Sequence, residues 1–146
     1  RYLERYRIDH ASCREPFPGI TGLLDDIATR GLPAAIVTGK GMETLVISLE
    51  AIGLSGRFHP LQAGSPGGLV KADAMRRVVA EWGIDPAAAL SVGDHVADVT
   101  EARSAGVRSV TAAWAGHADT EALLAAGPEE LFSSVAALRS WLANQP

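Results

Sequence analysis

Short apolar runs alternate with segments of helical periodicity along most of this sequence. Residues 20–27 and 75–82 carry apolar side chains at the i, i+3, i+4 and i+7 spacing of an amphipathic helix, and a glycine follows shortly after each segment. Runs at 34–37, 88–92 and 107–113 have the length and composition of buried strands. Because parallel strands are joined through helices, this order predicts an α/β fold with a mostly parallel sheet and helices on both faces.

Weaker patterns complete the predicted order of elements. Residues 64–68 are too rich in glycine, serine and proline to be anything but a loop. With 146 residues, the chain is long enough for one domain with its own core. The remaining predicted helices are 45–52, 96–105, 119–126 and 135–142, and the remaining predicted strands are 59–63 and 131–132.

Composition limits the classes of function. The 17 acidic residues outnumber 13 Lys and Arg and are scattered along the chain, so we expect no nucleic-acid partner. No apolar run approaches the roughly 18 residues of a membrane helix, so we expect no membrane partner either. The single cysteine, Cys13, excludes an internal disulfide and lies in no Cys/His cluster, which favours a protein of the reducing cytoplasm.

Two carboxylates, Asp94 and Asp98, lie where the predicted strand 88–92 turns into the predicted helix 96–105. Open α/β sheets bind ligands at such turns. Oxygen donors suit Mg²⁺, which is commonly held by one or two carboxylates together with a substrate phosphate. The alternative is structural, with Asp94 as the N-cap of the helix and Asp98 as a solvated acid in its first turn.

Two other strand ends in the predicted sheet carry polar groups. Thr38 follows one strand, and the backbone N–H groups of Gly39 and Lys40 would donate to phosphate oxygens at a helix N-terminus. Lys71, at the start of the helix that follows the glycine-rich loop, would offset charge on a phosphoryl group. Because the carboxyl ends of parallel strands lie at one edge of a sheet, we expect these groups near the two acids. Taken singly, Thr38 is also compatible with a helix cap and Lys71 with a solvated surface lysine.

A series of short motifs from residue 16 onward resembles one family. The long match over residues 93–106 is its most specific part. Together the motifs resemble the haloacid dehalogenase superfamily, and specifically its phosphoglycolate phosphatase branch. The matching segments are Pro16-Phe17-Pro18-Gly19, Leu23-Leu24, Ile36-Val37-Thr38-Gly39-Lys40, Phe58, Lys71, Val92-Gly93-Asp94, Asp98, Ala102-Arg103, Ala105-Gly106, Trp114 and Gly116.

The resemblance implies a Mg²⁺-dependent phosphohydrolase with a Rossmann-like core, acting on a small phosphorylated metabolite. Thr38 matches the second motif, whose hydroxyl binds the transferring phosphoryl group, and Lys71 matches the third, which neutralises the phosphate and the nucleophile. Asp94 matches the metal ligand of the fourth motif. Asp98 matches the second acid of that motif, which supports the metal site or holds the lysine. The implied site is therefore Thr38 and Lys71 for catalysis, Thr38, Gly39, Lys40 and Lys71 for phosphate, and Asp94 and Asp98 for the metal.

Three features depart from the pattern of the family. Residues 71–74 read Lys-Ala-Asp-Ala where the family usually has Lys-Pro-Asp-Pro, which keeps the charge without the rigid prolines. His95 stands where Ser is frequent, and its imidazole could bond a substrate, cover the metal site or be an exposed turn residue. The first motif, Asp-x-Asp-x-Thr, which supplies the nucleophile and the acid/base, is matched nowhere in the sequence.

The unmatched first motif leads to expectations about the whole chain. Residues 1–15 resemble the last helix of a cap domain with a linker, and residues 16–146 resemble a Rossmann-like core that lacks its first, central strand. The strands that end near Thr38 and Asp94 are then each expected to have an unpaired edge. We expect an upstream portion to supply the nucleophile, the full-length enzyme to work through an aspartyl-phosphate, and this chain alone to be inactive.

Two other functions share the residues present. One is a non-catalytic phosphate-binding or interaction domain that has lost the nucleophile, although a site without chemistry has little need of Thr38, Lys71, Asp94 and Asp98 together. The other is a phosphomutase of the same superfamily, which shares every motif found here. A dehalogenase is disfavoured because dehalogenases do not usually carry the Gly-Asp-x-x-x-Asp motif.

Overall fold

Residues 18–65, 67–114 and 118–146 are described by a computed structural model, in which the chain divides into two units after Leu69. Each unit consists of parallel strands and helices, which confirms the predicted α/β class. The predicted cap remnant and linker, residues 1–15, lies outside the described residues, and a single core over 16–146 stays a prediction. None of the described helices is long and apolar enough to cross a membrane.

The first unit is built around one crossover between two parallel strands. Leucines from both main helices and the loop after them form its buried cluster, and Ile36 and Leu61 from the strands pack against that cluster. The elements are α1 (Ile20–Thr29), β1 (Ile36–Gly41), α2 (Met42–Ala51) and β2 (Leu61–Gly64), and the clustered leucines are Leu24, Leu45, Leu49 and Leu54.

The second unit is a three-stranded parallel sheet with β4 at its centre. Val110 and Thr111 on β4 are fully buried, as expected for a parallel strand that is covered on both faces. Helix α3 lies against α4, with Ala74 and Ala102 fully buried. The elements are α3 (Lys71–Trp82), a 3₁₀ turn (Pro86–Ala88), β3 (Leu90–Gly93), α4 (Val96–Ala105), β4 (Arg108–Ala112), α5 (Thr120–Ala125), β5 (Glu130–Phe132) and α6 (Val135–Ala143).

Each predicted helix and strand is present among the described residues, but β1 is longer than predicted. It continues through Gly41 across a bulge, and only then does α2 begin, at Met42. Gly64, predicted to lie in a loop, is the last residue of β2 and pairs with Gly41. A side chain at Gly64 would collide with the backbone of Gly39, whose carbonyl carbon would lie 2.9 Å from the new Cβ. This close approach of two backbones is a reason for glycine in a strand.

Among the described residues, every strand except β4 has an edge that no other described strand covers. Within the part of the chain that the structure describes, β1 pairs only with β2, and β3 pairs only with β4. These are the strands that lead to Thr38 and to Asp94, so the expectation of two unpaired edges is confirmed for the described residues. Val92 on β3 is correspondingly 46% exposed.

Arg108 ties the start of β4 to the C-terminal part of the second unit. Its guanidinium donates to both carboxylate oxygens of Glu129, at 2.9 and 2.5 Å, and to Oε1 of Gln145 at 3.2 Å. It also lies over the ring of Trp141, 5.8 Å from the centroid. Hydrogen bonding between the two charged groups lowers the pKa of Glu129 and raises the pKa of Arg108.

We expect Glu129→Gln to lower the free energy of unfolding of the full-length protein by about 0.5 kcal/mol at neutral pH, because pairs this exposed contribute roughly 0.2–1 kcal/mol. The pKa of Glu129 lies below its ordinary value of 4.5 in the folded state. The stabilisation is therefore present above that value and is lost as pH falls through the folded-state pKa. Urea denaturation of the wild type and the variant across this acid range measures the difference, which should vanish at its lower end.

Glu130→Gln is the matched control, because Glu130 is the exposed neighbouring residue on β5. The effect of Glu130→Gln on the free energy of unfolding should be small at neutral pH. A Glu129→Gln effect that persisted undiminished in acid would contradict the assignment to the Arg108 pair.

Candidate functional site

Asp98 closes the turn between β3 and α4. Its Oδ2 accepts hydrogen bonds from the backbone N–H groups of Asp94 and His95, each at 3.1 Å. The first N–H groups of a helix have no partner within the helix, and an acid in the first turn that reaches back can satisfy them. Asp98 is only 8% exposed. The alternative of a solvated first-turn acid is therefore wrong.

The second carboxylate oxygen of Asp98 holds Lys71. Lys71 Nζ lies 2.5 Å from Asp98 Oδ1, and the two side chains are 30% and 11% exposed. A hydrogen bond between two ionised groups in such surroundings is among the stronger ones in proteins. Lys71 is therefore not a solvated surface lysine, and of the two roles that the resemblance implied for Asp98, the contact with the lysine is present.

The lack of a side chain at Gly93 leaves room for the Asp98 carboxylate. A Cβ atom built on Gly93 would lie 2.6 Å from both Cγ and Oδ2 of Asp98. Any side chain there would push the carboxylate away from the N–H groups and the ammonium that it accepts from. The glycine before Asp94 is thus explained by steric room for the second acid.

Asp94 and His95 form the turn itself. His95 Nδ1 lies 2.6 Å from Asp94 Oδ1, and His95 is the more exposed of the two side chains. The N-cap position of α4 belongs to His95, so the alternative of Asp94 as the cap is wrong. Donor atoms of Asp94, His95 and Asp98 all lie within 4.8 Å of one another. A set in which carboxylate oxygens predominate fits a hard divalent cation such as Mg²⁺.

The other predicted phosphate ligands lie in the first unit. Thr38 Oγ1 accepts a hydrogen bond from the Lys40 N–H at 3.2 Å, which leaves the hydroxyl hydrogen able to donate. Lys40 Nζ donates to Ser48 Oγ at 3.2 Å. Because α2 begins at Met42, Thr38 does not cap that helix, and the prediction that Gly39 and Lys40 stand at a helix N-terminus is wrong. Their binding to phosphate stays a prediction.

The structure thus brings together Lys71, Asp94 and Asp98 within the second unit, and it adds a residue that sequence reasoning missed. Glu101, one helical turn after Asp98, accepts a hydrogen bond from the Ala72 N–H at 2.8 Å. The i, i+3 spacing of the two acids is the signal that could have indicated a shared face of α4.

Comparison of the sequence with known proteins gives a consistent result. A family model described as haloacid dehalogenase-like hydrolase matches residues 1–112. A phosphoglycolate phosphatase from Synechococcus elongatus is 34% identical over 137 residues, which cover 92% of this chain and 64% of that protein. An N-acetylmuramic acid 6-phosphate phosphatase from Pseudomonas putida is 32% identical over 110 residues, which cover 74% of this chain and 49% of that protein. The chain therefore spans less than two thirds of the length of either relative.

Solved structures show the same fold. A predicted phosphatase from Clostridium acetobutylicum superposes with a TM-score of 0.79 at 24% identity, covering 88% of this chain and 60% of that one. A haloacid dehalogenase family hydrolase from Deinococcus radiodurans, solved with bound phosphate and sodium, superposes with a TM-score of 0.78 at 23% identity. That match covers 88% of this chain and 59% of the other.

Proposed function

The chain belongs to the haloacid dehalogenase-like hydrolase family, and on that premise we propose that the full-length protein is a Mg²⁺-dependent phosphatase acting on a small phosphomonoester. One observation carries the proposal. The buried Asp98 carboxylate holds the Lys71 ammonium with one oxygen and the turn of Asp94 with the other. A cation held by the same buried acid that fixes the turn of a partly exposed carboxylate at a strand end is suited to a phosphate and its metal.

The three residues of the second unit have distinct proposed roles. Both oxygens of Asp98 already accept hydrogen bonds, from Lys71 and from the backbone of the turn, so we assign direct contact with Mg²⁺ to Asp94. Asp98 then supports the metal site by fixing the turn that carries Asp94. Mg²⁺, when bound, would polarise the phosphoryl oxygens and offset their charge. The Lys71 ammonium adds a second positive charge for the same group.

The proposed reaction needs a nucleophile from outside these 146 residues, since no Asp-x-Asp-x-Thr motif is present. A carboxylate oxygen of that aspartate attacks phosphorus, the bond from phosphorus to the alcohol oxygen breaks, and the alcohol leaves with a proton from an acid. Water then attacks the aspartyl-phosphate at phosphorus and gives a proton to the conjugate base of that acid, which releases inorganic phosphate and restores both the carboxylate and the acid. Thr38 would donate its hydroxyl hydrogen to a phosphoryl oxygen, and the backbone N–H groups of Gly39 and Lys40 remain candidate donors.

Two named relatives suggest which substrates to test. One is a phosphoglycolate phosphatase and the other an N-acetylmuramic acid 6-phosphate phosphatase, and both names describe small phosphomonoesters. We propose phosphoglycolate first, because this name recurs among the relatives. We propose the reducing cytoplasm as the location of this enzyme, because the 146 residues contain a single cysteine and so no internal disulfide.

Phosphate release by the full-length protein tests the proposal. We expect release from phosphoglycolate or N-acetylmuramic acid 6-phosphate in Mg²⁺ and none after chelation. The 146-residue chain, with its folding checked by circular dichroism, should release none from these or from an aryl phosphate. Turnover by this chain would contradict the external nucleophile. A full-length protein that hydrolyses none of the substrates would support the non-catalytic alternative, and an isomerised sugar phosphate would support a phosphomutase.

A further inference from the structure

Helix α3, which begins with Lys71, takes its N-terminal cap from another helix. The residue before it, Val70, has no side chain that can accept a hydrogen bond, and the structure records no side-chain cap there. The Ala72 N–H instead donates to Oε2 of Glu101 on α4 at 2.8 Å. Ala72 is only 3% exposed, so this N–H would be poorly hydrated without Glu101.

Glu101 and Asp98 therefore hold the same turn of α3 from one face of α4. They are three residues apart, which places them side by side on the helix surface. Asp98 accepts from the side chain of Lys71, and Glu101 accepts from the backbone N–H of the next residue. The backbone and the side chain of Lys71 are thus anchored to one element. The negative charge of Glu101 also lies at the positive end of the α3 dipole, which favours the contact.

We propose that Glu101 is a positioning residue for Lys71. By fixing the backbone of the first turn of α3, it sets where the Lys71 ammonium lies relative to Asp98. The inference rests on the proposed function in so far as Lys71 is taken to contact a phosphoryl group. A small displacement of a charged group that stabilises a transition state lowers the rate of the reaction. The loss of Glu101 should therefore lower the rate, although Glu101 touches no substrate.

A mutant cycle in the full-length protein tests this role with an aryl phosphate as substrate. Glu101→Ala should lower kcat/KM by about tenfold, and Glu101→Gln, which keeps an oxygen acceptor, should retain most of the activity. In a Lys71→Met background, Glu101→Ala should lower kcat/KM by less than about twofold, because the ammonium that Glu101 positions is then absent. Equal losses in the two backgrounds would overturn the proposal.

Asp119→Ala is the matched control for the loss of a helix cap. Asp119 Oδ1 accepts from the Ala122 N–H at 3.1 Å at the start of α5, so the variant removes the same kind of contact from a helix that does not carry Lys71. It should leave kcat/KM within about twofold of the wild type. A loss equal to that of Glu101→Ala would show a general effect of weakened caps and would also overturn the proposal.

Acetylation of Lys71, followed by mass spectrometry, gives a readout that is independent of turnover. Its rate relative to Lys40, the other lysine of this sequence, should rise several-fold in Glu101→Ala and stay near the wild-type value in Glu101→Gln. If Glu101→Ala does not fold, Glu101→Asp keeps the charge but withdraws the acceptor, and it should shift the rate in the same direction. An unchanged rate in the folded variants overturns the proposal. A raised rate in a protein that hydrolyses no phosphomonoester overturns the proposed function and leaves the anchoring of Lys71 in place.

Discussion

Replacing Asp94 by Asn in the full-length protein should abolish Mg²⁺-dependent phosphatase activity. The substitution keeps the shape of the side chain but replaces a charged oxygen donor by a neutral amide. A bound metal ion supplies several kcal/mol of transition-state stabilisation, so we expect kcat/KM to fall by about a thousandfold, which corresponds to about 4 kcal/mol. Initial rates at saturating Mg²⁺ measure this loss, and calorimetric titration should show Mg²⁺ affinity reduced by at least about tenfold.

The loss must come from the metal and not from unfolding. Asp94 is 37% exposed and its side chain caps no helix, so the free energy of unfolding should stay within about 1 kcal/mol of the wild type. Asp25→Asn is the matched control, because Asp25 is an exposed aspartate whose carboxylate pairs with Arg57 at 2.8 Å. It should leave both rate and Mg²⁺ affinity unchanged. Wild-type rates in Asp94→Asn would refute the assignment of Asp94 to the metal.

Most elements of the fold followed from periodicity, because the longer helices bury apolar residues at helical spacing, as α3 does with Met75, Val78 and Val79. Helix α4 was predicted with the bounds that the structure has, since Gly106 directly after it adopts φ 76° and ends it in the left-handed conformation that glycine favours. The end of β1 could not be predicted in the same way. A Thr-Gly-Lys-Gly run is typical of a turn, and its extended, bulged course depends on pairing with Gly64, which is distant in the sequence.

The site shows the same division between local pattern and packing. The spacing of Asp94 and Asp98 indicated a turn with two acids, and the resemblance indicated that the second acid could hold a lysine. Neither could reveal that Asp98 is buried, because its burial depends on the packing of α3 against α4 and on the absence of a side chain at Gly93. The contact from Glu101 to Ala72 arises from the same packing of two helices that are separate in the sequence. Local rules identified the charged groups, and tertiary contacts decided which of them meet.

Lys71→Met should lower both activity and stability, and the two effects have separate causes. Loss of one preorganised positive donor to the phosphoryl group should lower kcat by about a hundredfold to a thousandfold. The same change leaves the Asp98 carboxylate buried without its cation, which should lower the free energy of unfolding by about 2 kcal/mol. Steady-state kinetics and urea denaturation of the full-length protein measure the two effects.

A double-mutant cycle with Asp98→Asn separates the ion pair from other consequences of each change. In the wild type, Asp98→Asn removes the acceptor of Lys71 and should be destabilising. In the Lys71→Met background it removes an unpaired buried charge, so it should cost less or stabilise, which gives a coupling free energy of about 1–2 kcal/mol. Arg76→Met with Asp73→Asn is the control cycle on the same helix, because that pair is 49% and 55% exposed. Its coupling should not exceed about 0.5 kcal/mol. Equal coupling in the two cycles would mean that burial of Asp98 adds nothing to the Lys71 contact, and the proposed fixing of the ammonium by a buried carboxylate would have to be abandoned.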